Sequence, residues 1–396
     1  MSFAAPPRQP APNRAGSGRS GPSPLAITVL VVAAIVGFVL LASHFWTEIL
    51  WFQQVGYQQV LFTEWGTRAA LFAVAFVLMA AVIYVNLSIA YKNRPIYAPS
   101  NPEQATLDQY REAIEPLRKV VMVGGPMVIG LFAGLTAQAS WDTFQLWLNK
   151  VPFGIKDPEF NLDYSFYVFT LPVLNFAVNF LLTALVMAAI GAVATHYLYG
   201  GVTIGSNGRG GSASTSARIQ LSVLSAVFVL VLGAKYWLDR YGLLLKSGDK
   251  FDGATYADIN AVIPAKAILA VVAVFVALLF IATAIRGNWR LPAIGVGLMI
   301  VSAVVVGAIY PAIVQRFQVV PNAQQMEAPY IQRNIDATRA AFGLDNIDVR
   351  PYDAKTTAEA QALRDYAETA AVLLINFLVD LSYAWIDPRL RAEVDR

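Results

Sequence analysis

Seven stretches of this chain stay apolar for about 20 residues, the length over which a helix carries its own backbone hydrogen bonds across a hydrocarbon layer. They run approximately from Leu25 to Trp46, Ala69 to Tyr91, Val120 to Ala139, Val168 to Ala194, Ile219 to Trp237, Ala265 to Ile285 and Leu291 to Ile313. None carries an Asp or Glu in its middle. The fourth exceeds the length needed and has Pro172 near its start, which predicts a tilt, a kink or an interfacial turn there. The residue balance fits: 57% apolar and 14% charged, where a water-soluble chain runs near half and about a quarter. Most of this surface therefore faces something other than water. The expected fold is an all-α integral membrane protein.

The same balance excludes several chemistries. Without cysteine there are no disulfides, thiol nucleophiles or sulfur-bound metals. His44 and His196 are the only imidazoles, too few for a His-based metal site. A formal charge of +3 is too small for a nucleic-acid binder. There is no P-loop, G-x-S-x-G, H-E-x-x-H or dinucleotide fingerprint. No nucleophile–base pair stands out, so an enzyme is the least favoured reading, and no cofactor, metal or catalytic residue is assigned.

Residues 1–24 are rich in Pro, Gly, Ser and Arg and read as a disordered cytoplasmic arm. The first span is no cleavable signal: its apolar run is too long, and Ser43-His44-Phe45-Trp46 offers no small-residue cleavage site. With the N-terminus inside, the arm and the connections Lys92 to Lys119, Tyr197 to Arg218 and Arg286 to Arg290 hold twelve basic residues. The opposite connections, Thr47 to Gly66, Trp141 to Tyr164 and Leu238 to Pro264, hold five, alongside ten acidic ones. Lys and Arg concentrate on the cytoplasmic side, which predicts seven spans with the N-terminus cytoplasmic. Trp46, Trp51, Trp65, Trp141, Trp147 and Trp237 fall at the outer boundary, as an aromatic belt would. The stretch from Trp46 to Tyr57 reads as part of that belt or as an interfacial helix.

Residues 25–313 thus form the membrane domain, and 314–369 a polar extracytoplasmic segment. In that segment Pro329 to Gly343 reads as a short helix with Ile331, Ile335, Thr338 and Phe342 on one face. Residues 370–396 open with a run of about 17 apolar residues, a candidate eighth span near the lower length limit.

Polar side chains inside the spans are mostly neutral. Asn175 and Asn179 lie four apart just beyond Pro172, either as a polar groove that contacts solute or lipid headgroup, or as interhelical packing. Gly130 and Gly134 make a small-xxx-small face for close helix approach. Lys235 and Lys266 sit at span ends, where they can snorkel outward. Asp157, Glu159, Asn161 and Asp163 alternate like calcium-loop ligands, but Leu162 replaces the turn glycine and Val168 the closing Glu. A solvated acidic loop is the expectation. Asp249, Asp252 and Asp258 are a weaker version of the same pattern. The Gly-rich Gly200–Gly211 lacks the Lys-Ser/Thr of a phosphate loop and reads as a linker.

Several blocks carry a resemblance. They include Trp51-Phe-x-x-Val-Gly-Tyr57, Asn86-Leu-Ser-Ile-Ala-Tyr91 with Arg94-Pro95, and Trp147-Leu-Asn-Lys-Val-Pro-Phe-Gly-Ile-Lys-Asp-Pro-Glu-Phe160. Further ones are Ser165 to Pro172, His196 to Gly201, Tyr236-Trp-Leu-Asp-Arg-Tyr241, Asn260 to Lys266 and Pro329-Tyr-Ile-Gln-Arg-Asn-Ile335. In order and spacing they resemble uncharacterised protein family 0182 over about Leu25 to Lys355. That resemblance implies a multi-pass protein of the bacterial plasma membrane, with no established biochemical role and no catalytic residue to carry over. It also implies a larger extracytoplasmic region following, so the chain reads as truncated. Past about Arg364 the family pattern is lost, and Leu373 to Arg391 instead resembles the closing helix of peptide-importer permease subunits. The expected partners are the lipid bilayer and an envelope protein or lipid, with no nucleic acid. The expected role is an envelope scaffold or assembly component, with a uniporter or lipid-handling translocator as the alternative.

Overall fold

The computed structural model describes residues 23–95, 115–203, 212–248, 251–287, 290–344 and 367–386. The N-terminal arm, Asp249 and most of the segment after Leu344 lie outside them, as do parts of the Lys92–Lys119 and Tyr197–Arg218 connections.

Apolar length becomes helix at every expected place. The elements are α1 (Pro24–Val55), α2 (Gln58–Lys92), α3 (Arg118–Gln138), α4 (Trp141–Leu148), α5 (Leu171–Leu198), α6 (Thr215–Gly242), α7 (Ile263–Arg286), α8 (Arg290–Val304), α9 (Tyr310–Ile313), α10 (Ala323–Ala341) and α11 (Ala367–Ile386). Among the described residues seven helical runs are long and apolar enough to cross a membrane, and they cover the seven predicted stretches to within one residue, at Ala139. Sequence-level caps begin two of the helices. The Ser23 hydroxyl accepts from the Ala26 N–H at 3.2 Å, with Pro24 at the first helical position. The Ser214 hydroxyl does the same for Ala217.

The stretch from Trp46 to Tyr57 is not a separate interfacial helix. Helix α1 continues to Val55, Gly56 adopts φ +82°, and α2 starts at Gln58. The Tyr57 N–H reaches back to the Phe52 carbonyl at 3.0 Å, closing α1 in a left-handed cap that a Cβ would strain. The Gly-rich stretch also differs from a plain linker: Val202–Thr203 pairs antiparallel with Ser212–Ala213, bracketing residues outside the described set.

Four π-helical turns occur among the described residues, at Phe166–Thr170, Asp258–Val262, Val305–Ile309 and Val314–Val319. Each ends two residues before a proline: Pro172, Pro264, Pro311 and Pro321. Proline has no N–H to return and its ring crowds the carbonyl four residues back. The residue just ahead of each proline bonds one residue further back instead, as Leu171 N–H does to the Phe166 carbonyl and Ile263 to Asp258. A bulged turn inside a continuous helix results. At Pro172, where a tilt, a kink or an interfacial turn was expected, the structure has this bulged turn.

The helices pack as a row of neighbours, α3 against α2, α2 against α5, then α5–α6, α6–α7 and α7–α8. What they bury is small. Ala226, Val229, Ala273, Val276, Ala277 and Phe280 form the main core between α6 and α7. A Cβ on Gly233 would sit 3.0 Å from that of Ala273. The large side chains point out: Phe38 is 72% exposed and Phe275 62%. Helix α1 buries no residue at all and meets α2 near the Gly56 turn, where Phe45 and Trp65 stack edge-on.

Contacts divide the chain into residues 1–334 and 335–396, with the boundary inside α10. Helix α10 starts at Ala323, so Pro329 lies within it rather than opening it. Gly343, at φ +67°, closes it with Leu344 N–H bonded to the Arg339 carbonyl. Helix α11 contains the run proposed as an eighth span, and its side chains from Val372 to Val379 are exposed.

The α2–α3 contact gives a direct test. A Cβ on Gly130 would meet the Phe76 backbone carbonyl at 2.9 Å, so Gly130→Val forces the helices apart. Thermal unfolding in detergent should show a loss of about 1–3 kcal/mol, while the same change at Gly125, which has open space, should show little.

Candidate functional site

Polar chemistry gathers at the two ends of the bundle. At the end where α2 and α5 finish, a buried hydrogen-bond chain joins three helices. His196 Nε2 lies 3.0 Å from Gln220 Oε1, and Gln220 Nε2 donates to the Asn86 carbonyl at 2.8 Å. That second bond fixes the Gln220 amide, because a carbonyl only accepts. His196 Nε2 therefore carries the proton and donates. His196 Nδ1 is left without a partner in a side chain 1% exposed, packed against Gly201. Gln220 sits in an apolar stretch with no sequence partner to mark it, and the sequence reading passed over it.

At the other end, near Gly56, the loop between α4 and α5 is organised by its own carboxylates. Asp157 is 5% exposed and accepts from the N–H groups of Glu159, Phe160 and Leu162 and from the Tyr167 hydroxyl, at 2.6–2.9 Å. Asp163 accepts from Phe153, Gly154 and Ser165 N–H. Hydrogen bonds from Ser165, side chain then backbone, and from Phe153 hold its carboxyl down at about 2. A carboxylate lowered in the fold contributes stability above its ordinary range, and that contribution disappears as pH falls towards 2. The alternating acids are thus neither calcium-like nor a solvated loop. Asp157 and Asp163 serve as anchors for backbone donors, and Asn161, at φ +56°, makes the turn between them. No group of three or more His, Cys, Asp or Glu suited to a metal occurs among the described residues.

Helix α10 docks on these loops through its polar face. Glu327 accepts from Tyr256 N–H at 3.0 Å, and Asn260 Nδ2 reaches the Tyr330 hydroxyl at 3.1 Å. Arg333 pairs with Glu159 at 3.7 Å, and Asn334 donates to the Asp252 carbonyl at 2.8 Å. The block Pro329–Ile335 therefore works through Tyr330, Arg333 and Asn334, not through the Ile331/Ile335 stripe, which is partly exposed. Below it, Asp258 is buried and held by Lys246 and by the Thr255 N–H and hydroxyl. Lys235 and Lys266 do not snorkel apart. Both converge on Asp239, at 3.0 and 3.3 Å, because Asp239 sits one helical turn from Lys235 and faces α7. The four-residue spacing of Lys235 and Asp239 was the available signal.

Asn175 and Asn179 share a helical face of α5. Asn175 is half-buried and its Oδ1 is enclosed without a partner. Asn179 is exposed. The hollow of about 530 Å³ beside Pro321–Ala328 includes neither.

Comparison with known proteins adds a relationship but no activity. A family model described as Uncharacterised protein family (UPF0182) matches residues 25–377. A UPF0182 protein of Clavibacter sepedonicus is 45% identical over 90% of this chain and 36% of its own length. One of Arthrobacter sp. (strain FB24) is 45% identical over 92% of the chain and 35% of its own length. One of Kineococcus radiotolerans is 47% identical over 84% and 33%. The chain spans about a third of the length of the curated relatives it matches. No solved structure matches it significantly. The family match continues beyond Arg364, past the point where the pattern was expected to be lost, and takes in the first residues of the permease-like stretch from Leu373.

The Asp157 anchor is testable by an isosteric change. Asp157→Asn keeps the shape but turns an amide towards backbone donors, at a cost of about 1.5–3 kcal/mol. Limited proteolysis in detergent should then cut between Asn149 and Ser165 faster than in the parent protein; equal rates would mean the carboxylate does not hold the loop.

Proposed function

Because the chain belongs to the uncharacterised protein family UPF0182, we propose that it is an integral protein of the bacterial plasma membrane and acts as an envelope scaffold or assembly component. Its seven long apolar helices would span the bilayer, with the N-terminus cytoplasmic and segment 314–369 outside. Helix α11 would be an eighth span. The orientation rests on twelve basic residues in the inner segments against five in the outer ones.

A single observation carries the scaffold reading. Helix α10 is clasped to two separate loops by the Glu327, Tyr330, Arg333 and Asn334 contacts. Such a clasp makes the outer end a preorganised polar and aromatic platform rather than a set of free loops, and a preorganised surface lowers the ordering cost of docking. The partner would be another envelope protein or a lipid.

A second reading has one specific observation in its favour. The enclosed, unpartnered Asn175 Oδ1 is an unusual feature in an apolar helix and would suit a uniporter or a lipid-handling path.

Cross-linking from the platform tests the first reading. A photo-reactive group at Gln332, introduced in native membranes before purification in mild detergent, should trap a reproducible envelope partner, and Arg333→Glu, which opposes Glu159, should reduce the yield several-fold. Recovery of the bundle alone would overturn the scaffold. Flux and lipid scrambling in liposomes test the second: Asn175→Leu with Asn179→Leu should abolish transport, and an unchanged rate removes that path.

A further inference from the structure

At the end opposite the platform, three helices bring two tyrosines and two arginines together. Tyr91 comes from the end of α2, Arg118 from the start of α3 and Tyr199 from just after α5. Arg118 is paired: its Nη1 donates to Glu115 at 2.6 Å and to the Tyr91 hydroxyl at 2.5 Å. The hydroxyls of Tyr91 and Tyr199 each lie 3.4 Å from an oxygen of that same Glu115. The two rings meet edge to face with centroids 5.3 Å apart.

Arg94 is different. Its guanidinium stacks 3.8 Å over the Tyr91 ring and lies 5.5 Å from that of Tyr199. Among the described residues it donates one hydrogen bond, to the Tyr91 carbonyl at 3.3 Å. No carboxylate among the described residues pairs with it. A guanidinium has five N–H donors in a planar fork. Stacking fixes that plane against an aromatic wall and leaves the fork edge open, which is the arrangement suited to bidentate contact with a phosphate. Glu115 pairs with Arg118, and among the described residues no carboxylate compensates the charge of Arg94. The neighbouring Lys92 and Lys119 are exposed and add to the positive field.

We propose that Arg94, stacked on Tyr91 and Tyr199, is a recognition site for the phosphate of an anionic phospholipid headgroup at the cytoplasmic surface. The site lies just past the apolar part of α2, at the depth where tyrosine rings prefer the headgroup layer. Lipid is the occupant favoured over free phosphate because the stacked pair closes the ends of two apolar helices, α2 and α5, so an acyl chain has apolar surface to follow beside the headgroup. This inference rests on the membrane reading above but not on the scaffold role.

The experiment uses the full chain in neutral detergent, with lipid-dependent thermal stabilisation as the readout. Phosphatidylglycerol should raise the melting temperature; phosphatidylcholine and inorganic phosphate should raise it little. Arg94→Gln should weaken the apparent affinity for phosphatidylglycerol about five-fold, the worth of one basic side chain at an anionic surface. Arg94→Lys, which keeps charge but loses the fork, should fall between. If Arg94→Gln is itself unstable, salt supplies the second measurement: about 0.5 M should strongly reduce the effect on the parent protein. An undiminished shift in Arg94→Gln, a salt-independent shift, or full reproduction by inorganic phosphate each overturns the proposal. Carbonate extraction of the same membranes separates the two levels. Release of the chain defeats the membrane reading, whereas retention with an undiminished Arg94→Gln shift defeats this site alone.

Discussion

Helices that are apolar all round can pack tightly only where their side chains are small, and the rest of this structure depends on that constraint. Ala273 and Val276 are fully buried between α6 and α7, while Phe275, between them in sequence, points away at 62% exposure. Gly233 lets the α6 backbone approach Ala273, and Gly130 and Gly134 let α3 approach the Phe72 and Phe76 turns of α2. In water this would be an inside-out arrangement, with the largest apolar groups unprotected. Against hydrocarbon there is no gain in hiding a leucine, and close backbone contact decides which faces meet.

Proline punctuation is the second organising device. A proline in a helix ordinarily removes a bond and bends the rod. Here the strain is absorbed one turn earlier, where a widened turn shifts the bonding by one residue and the helix continues. Two of these turns open α5 and α7 next to the carboxylate-anchored loops, and Asp258 begins one of them. Widened turns thus stand where apolar helix gives way to the polar platform. The other two carry the α8–α9 run into α10 without a break, which is how Glu327 and Arg333 come to lie over the loops they grip.

Polar groups follow a complementary rule. Within the bundle they are few, and three of them are tied across helices in the Asn86–Gln220–His196 chain. At the ends they fold the loops. Asp157 and Asp163 gather backbone donors that would otherwise lack partners, and Asp239 draws two lysines from different helices. Arg94 combines a guanidinium stacked on Tyr91 with the absence of any carboxylate partner among the described residues, which is why a ligand is assigned there and not to the acidic loop.

The positions of the seven long apolar runs were legible in the sequence alone, because such a run satisfies its own backbone hydrogen bonds as a helix, whereas the extension of α1 to Val55 and the start of α10 at Ala323 were not. The small-residue face at Gly130 and Gly134, the feature at Pro172 and the family relationship were legible for the same reason: each is a local property of neighbouring residues. Only the tertiary structure decided which polar groups meet. Lys266 finds Asp239 across 27 positions, Gln220 finds Asn86 across 134, and Tyr199 reaches Glu115 across 84. No periodicity encodes such partners, because they depend on which helices become neighbours, and that choice lies in packing faces of alanine and glycine that leave little mark on a pattern of hydropathy.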